Sequence, residues 1–178
     1  VANEYNIACY HGPVFGAKSE TDWEVHDGLN VEFFEAFDLA FLGDIHRTQH
    51  LGFRDVSISK NRNDIKINPG DEVVELGNDE VLVKTRRPWI SYPGSTIQQN
   101  YAESLEHGFL LWAIFGKSSH DVQFHLLDNV KPFVTLDWNN NVDDIIEQSA
   151  PFPNGSRFRI KTKQNISQKD ITLVCESL

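Results

Sequence analysis

Two short runs decide how this chain is read, Tyr5-Asn-Ile-Ala-Cys-Tyr-His-Gly-Pro13 and Phe37-Asp-Leu-Ala-Phe-Leu-Gly-Asp-Ile-His46. Each is an apolar stretch of strand length, and each ends abruptly, at Gly12-Pro13 in the first and at Gly43-Asp44 in the second. Both read as buried strands, and each delivers a histidine at its exit, His11 and His46. In open α/β sheets, ligands and catalytic groups gather in the crevice beyond the carboxyl ends of the strands. A lone histidine there is more often structural. Two of them, with Asp44 two residues before His46, shift the balance towards a metal site. Donors at i and i+2 reach one cluster but different ions, which suits a binuclear centre with ions about 3.5–4 Å apart. A single structural zinc fits less well, because neither Cys9 nor Cys175 lies near these histidines in sequence and no His-Glu-x-x-His pattern occurs.

Outward from these runs, the order of elements takes shape. Residues 29–37 carry helical spacing. From Asp55 to Tyr92 the pattern turns to short alternating pieces, Val56-Ser-Ile58, Ile65-Lys-Ile67, Glu72-Val-Val-Glu-Leu76 and Glu80-Val-Leu-Val-Lys84, separated by Asn-, Asp- and Gly-rich turns, as in an antiparallel meander. Trp89-Ile-Ser-Tyr-Pro-Gly-Ser95 reads as a strand running into a tight turn. Residues 108–115 and 122–127 read as a strand pair joined through Lys117-Ser-Ser-His-Asp121. This portion reads as one face of a two-sheet sandwich. After Asn129 the order becomes a strand at 132–138, a helix at 142–148 capped by Asn141, a strand at 157–161, and a further helix begun by Ser167. The expected division is therefore residues 1–128 as one domain and 129–178 as the start of a small α+β appendage.

Composition bounds the function. The chain has 178 residues, 40% of them hydrophobic and 24% charged, as in an ordinary globular protein. Its apolar runs are too short to span a bilayer, and the expected location is the cytoplasm. A net charge of −10 argues against a simple nucleic-acid-binding surface, yet acidic residues are what hard divalent cations require. Local basic spots stand at Lys60-Asn-Arg62, Lys84-Thr-Arg-Arg87 and Arg157-Phe-Arg-Ile-Lys-Thr-Lys163, where a solvated strand face is the simplest reading. Cys9 and Cys175 read as buried free thiols, and His26, His107, His120 and His125 as surface groups. The chain starts at Val1 and contains no Met, so it reads as a piece of a longer protein.

The strand-His11-Gly12 run, Gly43-Asp44-Ile45-His46-Arg47 and Tyr92-Pro93-Gly94-Ser95 together resemble the closing motifs of the calcineurin-like metallophosphoesterases. More narrowly, Phe41-Leu-Gly-Asp-Ile-His-Arg-Thr-Gln49 and Ile90-Ser-Tyr-Pro-Gly-Ser-Thr-Ile-Gln-Gln-Asn-Tyr101 resemble the SbcD-type DNA double-strand-break repair nuclease, in particular its phage recombination-endonuclease form. The resemblance implies an α+β or α/β fold: part of a metallophosphoesterase β-sandwich flanked by helices, followed by a small α+β capping module. It implies two divalent ions, Mn²⁺ above all, with His11 and Asp44 on one and His46 on the other. It also implies DNA as substrate and an SMC-like coiled-coil ATPase as partner subunit; a homodimer is one assembly left open. The family pattern is Gly-His-x-His, and here Asp44 stands at the first His, which puts the metal preference in doubt. The family's opening motifs, Asp-x-His, Gly-Asp and Gly-Asn-His, do not precede His11, so this chain by itself is expected to be inactive. Two other readings stay open: a non-catalytic binding or assembly module that keeps the fold, and a small-molecule phosphodiesterase of the same superfamily.

Overall fold

The computed structural model describes residues 4–64, 71–116 and 119–178. They form two compact units, one made of Val1–Thr96 with Gly108–Leu126 and the other of Ile97–His107 with Leu127–Leu178. The expected strand at Ile65-Lys-Ile67 and the first part of the 117–121 connection lie outside the described residues.

The first unit is built on a mixed sheet of β1 (Ile7–His11), β2 (Leu39–Gly43), β3 (Gln49–Asn61), β4 (Glu72–Gly77) and β5 (Glu80–Tyr92), in the order β1-β2-β5-β3 with β4 also on β5. β1, β2 and the end of β5 run parallel. β3 lies antiparallel along the whole of β5, so β4 and β2 share its other edge, β4 beside Glu80 to Lys84 and β2 beside Ile90 and Ser91. Side chains alternate across such a sheet. Ala40 and Leu42 of β2 therefore share a face with Ile90 and Tyr92 of β5, and all four are buried in one core with Val14, Ala17, Val25 and Phe34. On the opposite face the Phe41 ring meets Trp112, with centroids 5.1 Å apart, and Trp112 meets His120 at 5.7 Å. Trp112 belongs to β6 (His107–Gly116), which pairs with β7 (Ser119–Leu127) in a separate two-stranded ribbon.

The expected sandwich flanked by helices is corrected by these elements. Strand dominates the described residues, and their two α-helices, of eight and ten residues, both lie in the second unit. The helical spacing at 29–37 yields only a single 3-10 turn, Val31–Phe34. The reason lies in where the following carbonyls go. Arg54 donates to the backbone oxygens of Phe37 at 2.7 Å, Glu35 at 3.1 Å and Asp38 at 3.3 Å, while its guanidinium lies 3.6 Å from the centroid of Trp89. Carbonyls held by a side chain from β3 end the helix before a second turn forms.

Two smaller expectations change as well. His107 and His120 are buried, because each ring nitrogen finds a backbone carbonyl: His107 Nε2 lies 2.7 Å from Ser104 O, and His120 Nε2 lies 2.8 Å from Pro88 O. Cys9 and Cys175 are free and exposed instead of buried. Cys9 sits on edge strand β1 beside exposed Ile7, and Cys175 follows Val174, which takes the buried side of its helix.

The second unit pairs β8 (Phe133–Asp137) in parallel with β9 (Arg157–Lys161), joined by α1 (Val142–Ser149) and followed by α2 (Gln168–Ser177). Val134 and Leu136 bury one face of the pair against Ile145 and Val174, with Phe158 and Ile160 packed alongside. Both helices start on a side-chain cap: Asn141 Oδ1 accepts from Asp143 N at 3.0 Å, and Ser167 Oγ accepts from Asp170 N at 3.1 Å. Buried Gln98 adds a clamp on β8, accepting from Phe133 N at 2.8 Å and donating to Phe133 O at 2.9 Å.

Candidate functional site

The parallel register sets His11 of β1 opposite Gly43 of β2, and Gly12 N donates to Gly43 O at 3.2 Å. A Cβ on Gly43 would sit 3.0 Å from His11 Cδ2, so the glycine leaves room for the imidazole to lie across the end of β2. The chain then turns sharply. Asp44 has φ 97°, a backbone conformation that costs an L-residue strain unless its surroundings hold it, and its side chain is exposed. Two strand exits thus bring His11 and Asp44 to the same end of the sheet, although 33 positions separate them in sequence.

His46 is fixed through its backbone. Its carbonyl accepts from Ser95 N at 3.0 Å, and Thr48 Oγ1 donates to Pro93 O at 2.8 Å, so the turn after β5 locks onto residues 46–48. Gly94 makes this approach feasible: at φ 79°, its missing Cβ would lie 2.6 Å from His46 O. Arg47 ties the same segment to the loop after β1, donating to Asp22 Oδ1 at 2.5 Å and to Ser19 O at 3.3 Å. The Arg47 hydrogen bond and charge hold the Asp22 carboxyl below its usual range. Gln49 completes the tie, exchanging two 2.8 Å bonds with the backbone of Lys18.

Beneath the exits lies Tyr92, which in the sequence stands only as part of a turn motif. Its ring is fully buried and its hydroxyl donates to Gly12 O at 2.7 Å. Burial, with smaller contributions from Tyr10 and Asp44, pushes this phenol up to about 12. A tyrosine closing an apolar strand just before Pro-Gly was the available signal, since a buried phenol needs an acceptor and chain reversals supply carbonyls. His50 and Ser91 form a second unread pair across β3 and β5, with Nδ1 2.6 Å from Oγ. Ser91 is 1% exposed, so its hydroxyl meets His50 inside the sheet and not solvent. Burial lowers the His50 pKa and favours its neutral ring.

Whether these donors suffice for a metal is a separate matter. Among the described residues, no group of three or more His, Cys, Asp and Glu is arranged to hold an ion. His11 and Asp44 stand at the ends of adjacent strands, and with His46 they do not form such a group. No helix among the described residues is long and apolar enough to cross a membrane.

No family model matches this chain. Over 123 residues it is 34% identical to an uncharacterized protein, R555, of Acanthamoeba polyphaga mimivirus. The matched stretch is 68% of this chain but only 7% of that protein. The chain therefore spans a small fraction of the length of the relative it resembles.

Tyr92 allows a direct test of how the exits are held. Tyr92→Phe removes the bond to Gly12 O and leaves a buried carbonyl short of a donor, at an expected cost of about 1 kcal/mol in urea unfolding at pH 7. The sign of the alkaline effect follows from the raised pKa. The neutral phenol is favoured in the folded state, so its contribution is whole below pH 10 and is lost as pH rises from 10 through about 12. The wild-type chain should lose stability across that window more steeply than Tyr92→Phe, and equal slopes would remove Tyr92 from the account.

Proposed function

We propose that this chain is the carboxyl-side part of a divalent-metal-dependent phosphodiesterase, and that it gives His11, Asp44 and His46 to a centre whose other ligands come from outside this sequence. The complete protein cleaves DNA in recombination or double-strand-break repair, in the cytoplasm, beside an SMC-like ATPase subunit. One observation carries the reading. The three short motifs on which the resemblance rests are interlocked, Tyr92 holding the Gly12 carbonyl and Ser95 holding the His46 carbonyl. Carboxylate and imidazole donors at one end of the sheet are the chemistry that hard-to-borderline cations such as Mn²⁺ take. Asp44 favours the hard end of that range.

A second reading has an observation of its own. The lack of a three-donor group among the described residues favours a binding or assembly module without chemistry. Hydrolysis separates the two. Residues 1–178 and the longest natural polypeptide containing them are incubated with bis(p-nitrophenyl) phosphate and with linear DNA, in Mn²⁺ and in EDTA. The longer protein is expected to cleave only with the metal, and the 178-residue chain not at all. Binding of DNA by the longer protein without cleavage under any divalent cation would establish the module. Cleavage by the short chain, abolished by His46→Ala, would overturn the division of ligands.

A further inference from the structure

The outward face of the β8–β9 pair differs in charge from the rest of the chain. Parallel register sets Phe133 beside Arg157, Thr135 beside Arg159 and Asp137 beside Lys161, all on the face opposite the Val134–Leu136 core. Arg157, Arg159 and Lys161 are exposed. Alternate residues of a strand lie about 6.6 Å apart, so the three cations form one evenly spaced row. The molecule around them carries a net charge of −10.

The row is also laid on aromatic rings. Arg157 lies 4.6 Å from the centroid of Phe133 and Arg159 lies 4.8 Å from that of Tyr101, while Tyr101 and Phe133 meet edge to face at 5.1 Å. Thr135 Oγ1 accepts from Arg159 Nε at 3.2 Å and Nη2 at 2.8 Å. Ring contacts and hydrogen bonds restrain the two guanidinium groups, which stay exposed to a ligand. Guanidinium groups take phosphate oxygens through their edges and unstacked bases on their planes.

We infer that this face is a track for one strand of nucleic acid. A single row of cations along one β-strand matches one phosphate backbone, whereas a duplex presents two. The planar groups add a stacking surface that an acidic polypeptide does not use. The track stands on the second unit's residues alone and needs no metal, so its test fails or succeeds separately from the proposed hydrolysis.

The experiment is fluorescence anisotropy of a labelled single-stranded oligothymidine with residues 1–178 in EDTA, across a series of salt concentrations. Affinity is expected to fall with salt. In Arg157→Gln/Arg159→Gln/Lys161→Gln, the slope of log affinity against log salt should flatten by about 2, at roughly 0.7 per cation lost. Binding at low salt should weaken at least about 10-fold. Because a triple variant can misfold, Asp137→Asn gives an opposite expectation: removing the one anion of the row should tighten binding by about 2–3-fold. An unchanged slope in the triple variant, no binding by the wild type at low salt, or unchanged affinity in Asp137→Asn would overturn the track. So would tighter binding of a duplex than of the single strand, or competition by polyglutamate as effective as by the oligonucleotide.

Discussion

Gly94→Ala is expected to destabilise the first unit by about 2–5 kcal/mol, the sum of an L-residue forced to positive φ and a Cβ overlapping backbone. The atoms in the way are the His46 carbonyl at 2.6 Å, Thr48 Oγ1 at 2.7 Å and Thr48 N at 3.0 Å, and the first and last are backbone that cannot swing aside. The strain can be relieved only by parting the 93–95 turn from residues 46–48, which breaks the Ser95–His46 bond. Equilibrium unfolding in urea checks the size of the loss. The first unit should unfold at lower denaturant, reported by the tryptophans it contains, Trp23, Trp89 and Trp112. A loss below about 0.5 kcal/mol would mean that the two segments are not interlocked. Gly16 provides the control, since its positive φ faces open space and Gly16→Ala should cost only the backbone contribution.

Substitution of Asp44 is expected to move stability and function in opposite directions. At φ 97° an aspartate is strained and glycine is not, so Asp44→Gly should stabilise the fold by up to about 1 kcal/mol. In the longer protein, the same change removes a proposed metal donor. Loss of a group that only orients a ligand already costs about 10–100-fold, and loss of the ligand itself should reach at least about 100-fold in Mn²⁺-dependent cleavage. Asp44→Ala should lose activity equally without the gain in stability. Asp44→His, which restores the common family pattern, should keep activity and shift the metal optimum towards softer ions. A tight turn that merely tolerates Asp44 predicts otherwise: Asp44→Gly would then gain stability and retain full activity, and Asp44 would leave the site.

The strands that place the site and the two helices of the second unit were legible, and the fate of residues 29–37 was not. Residues 5–10 and 37–42 read as buried strands because both are short apolar runs closed by glycine; β1 and β2 stand there, but only β2 is mostly buried, since β1 is an edge strand with Ala8 alone buried. Asn141 and Ser167 showed their helices through side chains whose chemistry favours caps. The helix expected at 29–37 failed for a reason no local pattern carries, since Arg54, some twenty residues on, takes its carbonyls. The meander at 55–92 was legible as strands but not in register. β3 and β5 each run for 13 residues, through breaks that the alternation seemed to mark.

Of the candidate site, the sequence shows the expected donors and not the contacts that hold the chain around them. His11, Asp44 and His46 stood out because each follows a strand end. Tyr92 did not, since its partner Gly12 lies 80 positions away and only the parallel order β1-β2-β5 brings them together. His107 and His120 were misjudged because burial of a histidine depends on a backbone acceptor that a sequence does not display.

The proposed metal centre is tested most directly by calorimetric titration of Mn²⁺ into the longest natural polypeptide containing this sequence, repeated with His11→Ala, Asp44→Ala and His46→Ala. The account predicts two bound ions in the unaltered protein and the loss or marked weakening of at least one in each variant, with thermal unfolding of the metal-free forms changed by no more than a few degrees. Unchanged stoichiometry and unchanged affinity in all three variants would contradict it.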